Sequence, residues 1–350
     1  MDLRAAVSAA RRAGDLRLEM TALRAAGGDV TVTVVDNVAE IEQPLHRMLA
    51  IARSLGDAGA QADALTRLTV FWTARLDFVR AEEQAHRAEL VASASNDPLA
   101  TTCALDARKH VDAYQGLVAR LSDITEHLEQ ALRRSGDLWS LQWTVFESSF
   151  VPLAAGDHAA ALARMNEALE INRRSGYLAA ESWYLAHLGW VHRLAGDLPE
   201  ARALGARAVE RSRRHGRHRW WASTAAALQA GTLLAAGERA GARALLEPLR
   251  PTGPAVGDEA YRLRIAAPLA LATGTDADLA AADALFSCLR TAPGRAWLLG
   301  ADVHLTLGRA WLAHGEPTRA RRVLEPFADA AERSGWADLA ADARRALEGG

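Results

Sequence analysis

From Tyr177 to Ala195, leucine and aromatic residues return at helical spacing, and the run breaks at Gly196-Asp197. A second run reaches about Arg214 and places Ala201 and Ala208 seven residues apart, hence on one face. The pattern predicts two helices joined by a tight turn. Asp197 offers a carboxylate to cap the second helix, and Pro199 lies in its first turn, where a missing N–H costs nothing. Small residues at 201 and 208 let two helices approach closely. The same punctuation recurs along the chain. Gly56, Asn96, Gly136, Gly176 and Gly216 are forty apart, and Gly257, Gly294 and Gly335 follow at intervals of 41, 37 and 41. Gly116, Gly156, Gly196, Gly237, Gly274 and Gly315 run between them at the same intervals. Two helix ends per period mean a helix pair per unit, because glycine reaches the left-handed conformation that closes a helix. Repetition at this period predicts an all-α solenoid whose units bury faces they cannot bury alone.

Leu188-Gly189, Gly196, Ala201 and Ala208 stand in the order and spacing of the tetratricopeptide-repeat signature, which this unit resembles. Leu307-Gly308, Gly315 and Ala320 match it again, and Ala161 with Ala168 and Ala81 with Ala88 repeat the second-helix pair. The unit is longer than that family's usual one, and Ser148-Ser149 stands where a leucine–glycine pair would be. The forty-residue variant resembles the helical sensor domain of large bacterial STAND-type transcriptional regulators, in the maltose-activator and antibiotic-pathway-regulator group. The likeness covers roughly residues 14–335. It implies a right-handed superhelical solenoid of two-helix tetratricopeptide-like repeats. It also implies a role in transcription regulation or signal transduction.

The expected organisation is a partial repeat or cap helix at 1–13 and a repeat array at 14–248. A Pro/Gly-rich seam at 249–257 and further repeats with a C-terminal cap helix at 258–350 follow. Arg11-Arg12-Ala13-Gly14-Asp15 matches Arg133-Arg134-Ser135-Gly136-Asp137, so the chain opens inside a repeat, and Gly335–Leu347 reads as a lone first helix. Such half-units suit capping, or excision from a longer regulator. Val30-Thr31-Val32-Thr33-Val34-Val35 is β-branched and admits either a short extended segment or a helix. Pro248, Pro251 and Pro254 interrupt a second helix, which predicts a mechanical weak point at Arg250–Gly257.

Composition narrows the function. Charge is balanced at −2, which supplies no global field toward nucleic acid or an anionic membrane. Lys109 is the only lysine and follows no glycine-rich loop, so a phosphate-binding P-loop is excluded. Cys103 and Cys288 have no partner motif, and reduced thiols are expected in a cytoplasmic protein. No apolar run approaches membrane-spanning length. No Gly-x-Ser-x-Gly elbow, His-Glu-x-x-His pair or glycine-rich dinucleotide turn occurs, so neither a catalytic residue nor a cofactor is indicated. His187 and His192 are five apart and do not align on a helix face. Asp106 and His110 do align, but a third ligand is missing, so no metal site is expected.

Of the twenty aromatic residues, only Phe78, Phe286 and Phe327 fall in second helices. First helices line the concave surface of tetratricopeptide arrays, so the bias resembles a binding groove. Projecting that family's inward positions gives Asp106 and His110, then Trp143, Phe146 and Phe150, then Trp183, Trp190 and Arg193, and finally Tyr261 and Arg264. Trp143 with Trp183, and Phe150 with Trp190, are each one repeat apart and are expected side by side. An aromatic centre with a few polar groups is how small-molecule pockets are built, though rings also fill space between long helices. The run Arg211–Arg219 before Trp220-Trp221 suggests nucleic acid. Arg133-Arg134 and Arg173-Arg174 hold the same repeat positions, where cations answer the helix C-terminus, and that explanation is preferred. The expectation is a non-catalytic regulatory scaffold that binds a protein or peptide segment, or a small-molecule inducer. A passive protein–protein adaptor is the alternative, and an enzyme on a helical scaffold the third. Association between copies of the chain stays open.

Overall fold

The computed structural model describes residues 3–30, 39–214, 219–251, 259–289 and 301–349, and every regular element among them is helical. Two compact units divide the chain, Met1–Val111 and Asp112–Gly350. Unit 1 holds α1 (Leu3–Ala13), α2 (Leu16–Val30), α3 (Ala39–Ser54), α4 (Ala58–Ala74) and α5 (Phe78–Ser93). The division falls within α6 (Pro98–Gln115). Unit 2 continues with α7 (Val118–Ser135), α8 (Leu138–Ser148), α9 (Phe150–Ala154) and α10 (His158–Ser175). Next come α11 (Glu181–Leu194), α12 (Leu198–Arg214), α13 (Arg219–Ala235) and α14 (Arg239–Leu246). The last five are α15 (Glu259–Thr273), α16 (Asp276–Leu289), α17 (Ala301–Ala313), α18 (Pro317–Arg333) and α19 (Ala337–Glu348).

The helix ends follow the punctuation. Gly56, Gly116, Gly136, Gly156, Gly176, Gly196, Gly237, Gly274, Gly315 and Gly335 all take φ between 65° and 84°. Carboxylates cap the following helices: Asp57, Asp137 and Asp157 accept the amides of Ala60, Ser140 and Ala160 at 2.9–3.0 Å. Asp197 accepts that of Glu200 at 3.2 Å, as its position implied. Asn96 departs from the expectation, for it has no left-handed backbone; α5 ends earlier, at Ser93. Leu76, forty residues before Gly116, adopts φ 59° without a glycine's freedom. A leucine there is strained by roughly 1–2 kcal/mol, and its side chain is buried in return. Gly216, Gly257 and Gly294, the stretch 31–35 and most of the expected seam at 252–257 lie outside the described residues.

Packing follows the repeat. In unit 2 successive first helices from α11 onward pack on one another as well as on their second helices: α11 packs on α12 and α13, α13 on α15, and α15 on α17. The signature glycines sit at close contacts of this kind. A Cβ on Gly189 would meet the Ala201 carbonyl at 3.0 Å, and one on Gly308 would lie 2.4 Å from Leu324 Cγ.

A buried carboxylate recurs in both units. Glu19 receives Arg11 at 2.6 Å and Arg47 at 2.7 Å, from the second helices before and after it. Its repeat equivalent Glu181 receives Arg173 and Arg211, each at 3.1 Å. The paired arginines at second-helix ends are therefore partly inter-repeat ties. The rest of the basic run, 215–218, lies outside the described residues.

Candidate functional site

In unit 2 the first helices converge, and their inner faces bring most of the expected rings together. Trp143 on α8 lies 6.3 Å from Trp183 on α11, edge to face, so this pair sits side by side as the one-repeat spacing implied. Phe146 contacts Trp183 at 6.0 Å and Phe150 at 5.3 Å. Tyr184 lies 5.5 Å from both Trp143 and Phe146, and Trp221 of α13 lies 6.2 Å from Trp143. Phe150 turns toward Trp336, at 6.2 Å, and Trp190 toward His187, also at 6.2 Å.

The rings do not line an open groove. Phe146, Phe150, Trp183 and Trp190 are each at most 4% exposed, and only Trp143 is half-buried. The expectation of an accessible concavity is corrected by the curl of unit 2. Helices three repeats apart meet across the inner face, where the Trp190 indole donates to Asp302 of α17 at 3.1 Å and Arg193 pairs with the same carboxylate. A second closure joins the ends of the unit: the Trp336 indole, just before α19, donates to the Gly116 carbonyl at 2.9 Å.

Polar groups are buried among the rings. Arg264 of α15 is 4% exposed; it donates to Thr224 Oγ1 at 3.0 Å, and its guanidinium lies 5.9 Å from the Trp183 ring. Burial lowers its pKa to about 10, so it stays cationic at neutral pH. His187 lies 4.4 Å from the Trp183 ring, and its Nδ1 is 2.8 Å from the Trp183 carbonyl, where that nitrogen carries the proton. Burial pushes its pKa down to about 3, and it is neutral. The Tyr184 hydroxyl is held well above its ordinary value, first by burial and then by the charge of Glu147. Trp183 Nε1 and Tyr184 OH are buried with no hydrogen-bond partner among the described residues. Beside Arg264 and Asp302 a gap of about 20 Å³, lined also by Leu228, Pro268 and Thr306, has room for a single water. Tyr261, one turn before Arg264, is half-buried.

Asp106 and His110 belong to unit 1. Asp106 pairs at 2.7 Å with the buried Lys109, and His110 is half-buried. Neither Cys103 nor Cys288 is in a disulfide among the described residues, and burial together with the charges of Asp63 and Asp106 raises the Cys103 thiol pKa. Tyr184, His187, Trp221 and Asp302 were missed. A projection onto one inward stripe reaches Trp183, Trp190 and Arg193, but a tightly curled array buries α11 over most of its girth.

A family model described as "Tetratricopeptide repeat" matches residues 150–214. No curated protein sequence matches the chain. Among solved structures, the chain is similar to NprR in complex with its cognate peptide NprX, at 14% identity over 90% of this chain and 97% of that one, TM-score 0.55. It is similar to a Rap protein complexed with competence and sporulation factor, at 13% identity over 99% and 97%, TM-score 0.52. A STAND protein with a tetratricopeptide repeat sensor from Pyrococcus horikoshii aligns at 14% identity and TM-score 0.48, over 89% of this chain and 45% of that one. The likenesses to NprR and Rap establish the fold as a tetratricopeptide-like helical-repeat solenoid.

Proposed function

We propose that the chain is a non-catalytic regulatory scaffold that binds a peptide or protein segment on the inner aromatic face of unit 2. The observation that carries this reading is the pair of buried donors, Trp183 Nε1 and Tyr184 OH, set among edge-on and tilted rings, with the Arg264 cation 5.9 Å from the Trp183 ring. A buried donor without an acceptor costs about 1–3 kcal/mol. A peptide backbone supplies acceptors for both donors, and a peptide carboxylate suits a desolvated guanidinium. The rings add stacking area at low conformational cost. The likeness in fold to NprR and Rap supports a peptide over a small-molecule inducer, because those proteins were solved with a cognate peptide and with competence and sporulation factor. A place in cytoplasmic signal transduction or transcription regulation follows as part of this reading. No helix among the described residues is long and apolar enough to cross a membrane.

The test is a displayed library of random short peptides, panned on the purified chain and followed by calorimetric titration of the enriched sequences. Arg264→Gln is expected to weaken binding about tenfold or more, the scale of one charged hydrogen bond. Failure to enrich any sequence, or equal affinity for Arg264→Gln, overturns the reading. Small-angle scattering with and without an enriched peptide separates a sensor from a passive adaptor, since a sensor must change curvature when occupied.

A further inference from the structure

We propose that α19 and the tryptophan before it form a releasable latch that closes the inner face of unit 2. The inference rests on the reading of that face as a binding region and concerns its regulation.

Ordinary neighbour packing holds α19 to the array, chiefly on α18 and to a lesser extent on α17. What it does at its other end is not part of the repeat. Trp336 spans 220 residues of sequence to donate to the Gly116 carbonyl, and its ring leans on Phe150. Gly335 and Asp338 flank this contact. A Cβ on Gly335 would lie 3.4 Å from Val118, and one on Gly156 would lie 2.9 Å from the Asp338 carboxylate. Three residues within one turn, Gly335, Trp336 and Asp338, thus lie close against three separate places on the opposite wall.

Beyond this anchor the fit is poor. A cleft of about 240 Å³ remains between α19 and the wall, floored by Leu153, Leu194 and Leu339 and rimmed by His158, Asp338 and Arg345. A contact that is specific at one indole and loose beside it suits an element that opens and recloses. The inner face favours release as well: Trp183 Nε1 and Tyr184 OH have no partner among the described residues in the closed face, and opening would expose both to water. Access to the rings then requires the closed state to yield, and apparent affinity falls with the fraction that is open.

The latch is tested in a Cys103→Ser/Cys288→Ser background carrying Gly156→Cys and Asp338→Cys. A Cβ at 156 lies 3.8 Å from Asp338 Cγ, which brings the two sulfurs within bonding reach after a small shift. The same protein is compared oxidised and reduced, so any strain at position 156 is common to both. The probes are hydrogen exchange, read on the amides of α8, α11 and α19, and the fluorescence of anilinonaphthalene sulfonate. Reduction is expected to speed exchange on α8 and α11 about tenfold or more and to raise dye fluorescence, with exchange in α4 and α5 unchanged. Trp336→Ala is expected to do the same, and Trp336→Phe, which keeps a ring but loses the donor, to lie between. Identical exchange on α8 and α11 in the two redox forms overturns the latch, whether or not Trp336→Ala folds. Library-selected peptides distinguish the two proposals. Opening without peptide binding leaves the latch and removes the binding reading; binding at equal rates in both redox forms leaves the binding reading and removes the latch.

Discussion

The core of unit 1 is built from Leu45, Met48, Leu65, Leu68 and Phe71 with small alanines between them. The buried hydroxyls of Thr66, Thr69 and Thr73 return to carbonyls four residues back at 2.7–2.9 Å. The interior of unit 2 buries rings next to Gln142 Nε2, Trp183 Nε1, Tyr184 OH and both His304 nitrogens, none with a hydrogen-bond partner among the described residues. Two stretches of one repeat pattern therefore reach different ends. The threonine hydroxyls of the unit 1 core are satisfied by backbone carbonyls, while the interior of unit 2 holds more buried polar atoms without a partner among the described residues, at a cost in stability.

Acid should separate the units most strongly. Burial holds His187 at about 3 and His304 at about 4, against an ordinary 6.5. Both imidazoles are neutral in folded and unfolded chains above pH 6.5, so their full contribution is present there. As pH falls below 6.5 the unfolded chain takes up protons first, and stability is lost until the folded pKa values are reached. The slope reaches about 1.4 kcal/mol per pH unit for each imidazole. In unit 1, hydrogen bonding from Arg47 and Arg11 holds the Glu19 carboxyl at about 2, so its contribution persists to about pH 4.5 and fades toward pH 2. Hydrogen exchange along an acid titration should show α11 and α17 opening at higher pH than α3 and α4. His304→Leu should move the first transition to lower pH. One common transition would remove the distinction.

Core truncation comes next. Phe71 is fully buried in the unit 1 cluster, and Phe71→Ala should cost about 3–5 kcal/mol in denaturant unfolding. A loss below about 1 kcal/mol would mean that this core is not close-packed.

The repeat itself was legible because its signals are local. A glycine that ends a helix and an aspartate that caps the next act within a few residues, so Gly196-Asp197 reads correctly without tertiary knowledge. Gly189 and Gly308 were legible as signature residues, and the structure supplies their cause in the backbone and side chain they abut. The candidate site was half legible. Rings biased to first helices do gather, and Trp143 does meet Trp183. Their burial was not readable, because it depends on contacts such as Trp190 with Asp302 and Trp336 with Gly116, which lie 112 and 220 residues apart. Curl accumulates from small rotations at each repeat, and no single residue announces the sum.

Gly308→Ala probes that packing in unit 2. The added methyl would meet three Leu324 carbons at 2.4–2.6 Å, and overpacking of this kind costs about 1–3 kcal/mol. Chemical denaturation measures it, and Leu324→Ala should relieve the clash when combined with it. Glu19→Gln and Glu181→Gln form a matched pair across the units. Each removes one charge from a buried carboxylate held by two half-exposed arginines, and each should cost about 1–2 kcal/mol. Unequal losses would show that the repeat-equivalent ties do different work in the two units.

The smallest effect carries the opposite sign. Tyr184→Phe removes a hydroxyl that is fully buried and has no partner among the described residues, and keeps the ring that touches Trp143 and Phe146. Deleting a satisfied polar group destabilises, whereas deleting an unsatisfied one releases its desolvation cost. A gain of up to about 1 kcal/mol is expected, below the full penalty because the surrounding side chains relax. Thr69→Val is the control in unit 1, where the hydroxyl is bonded to the Leu65 carbonyl at 2.9 Å, and it should be neutral or mildly destabilising. If Tyr184→Phe instead loses stability while Thr69→Val does not, the hydroxyl has a partner in solution and the polar interior of unit 2 is structural. If it gains stability and also weakens the library-selected peptides, the same hydroxyl both strains the free chain and holds the ligand, the pattern expected of a site maintained for binding.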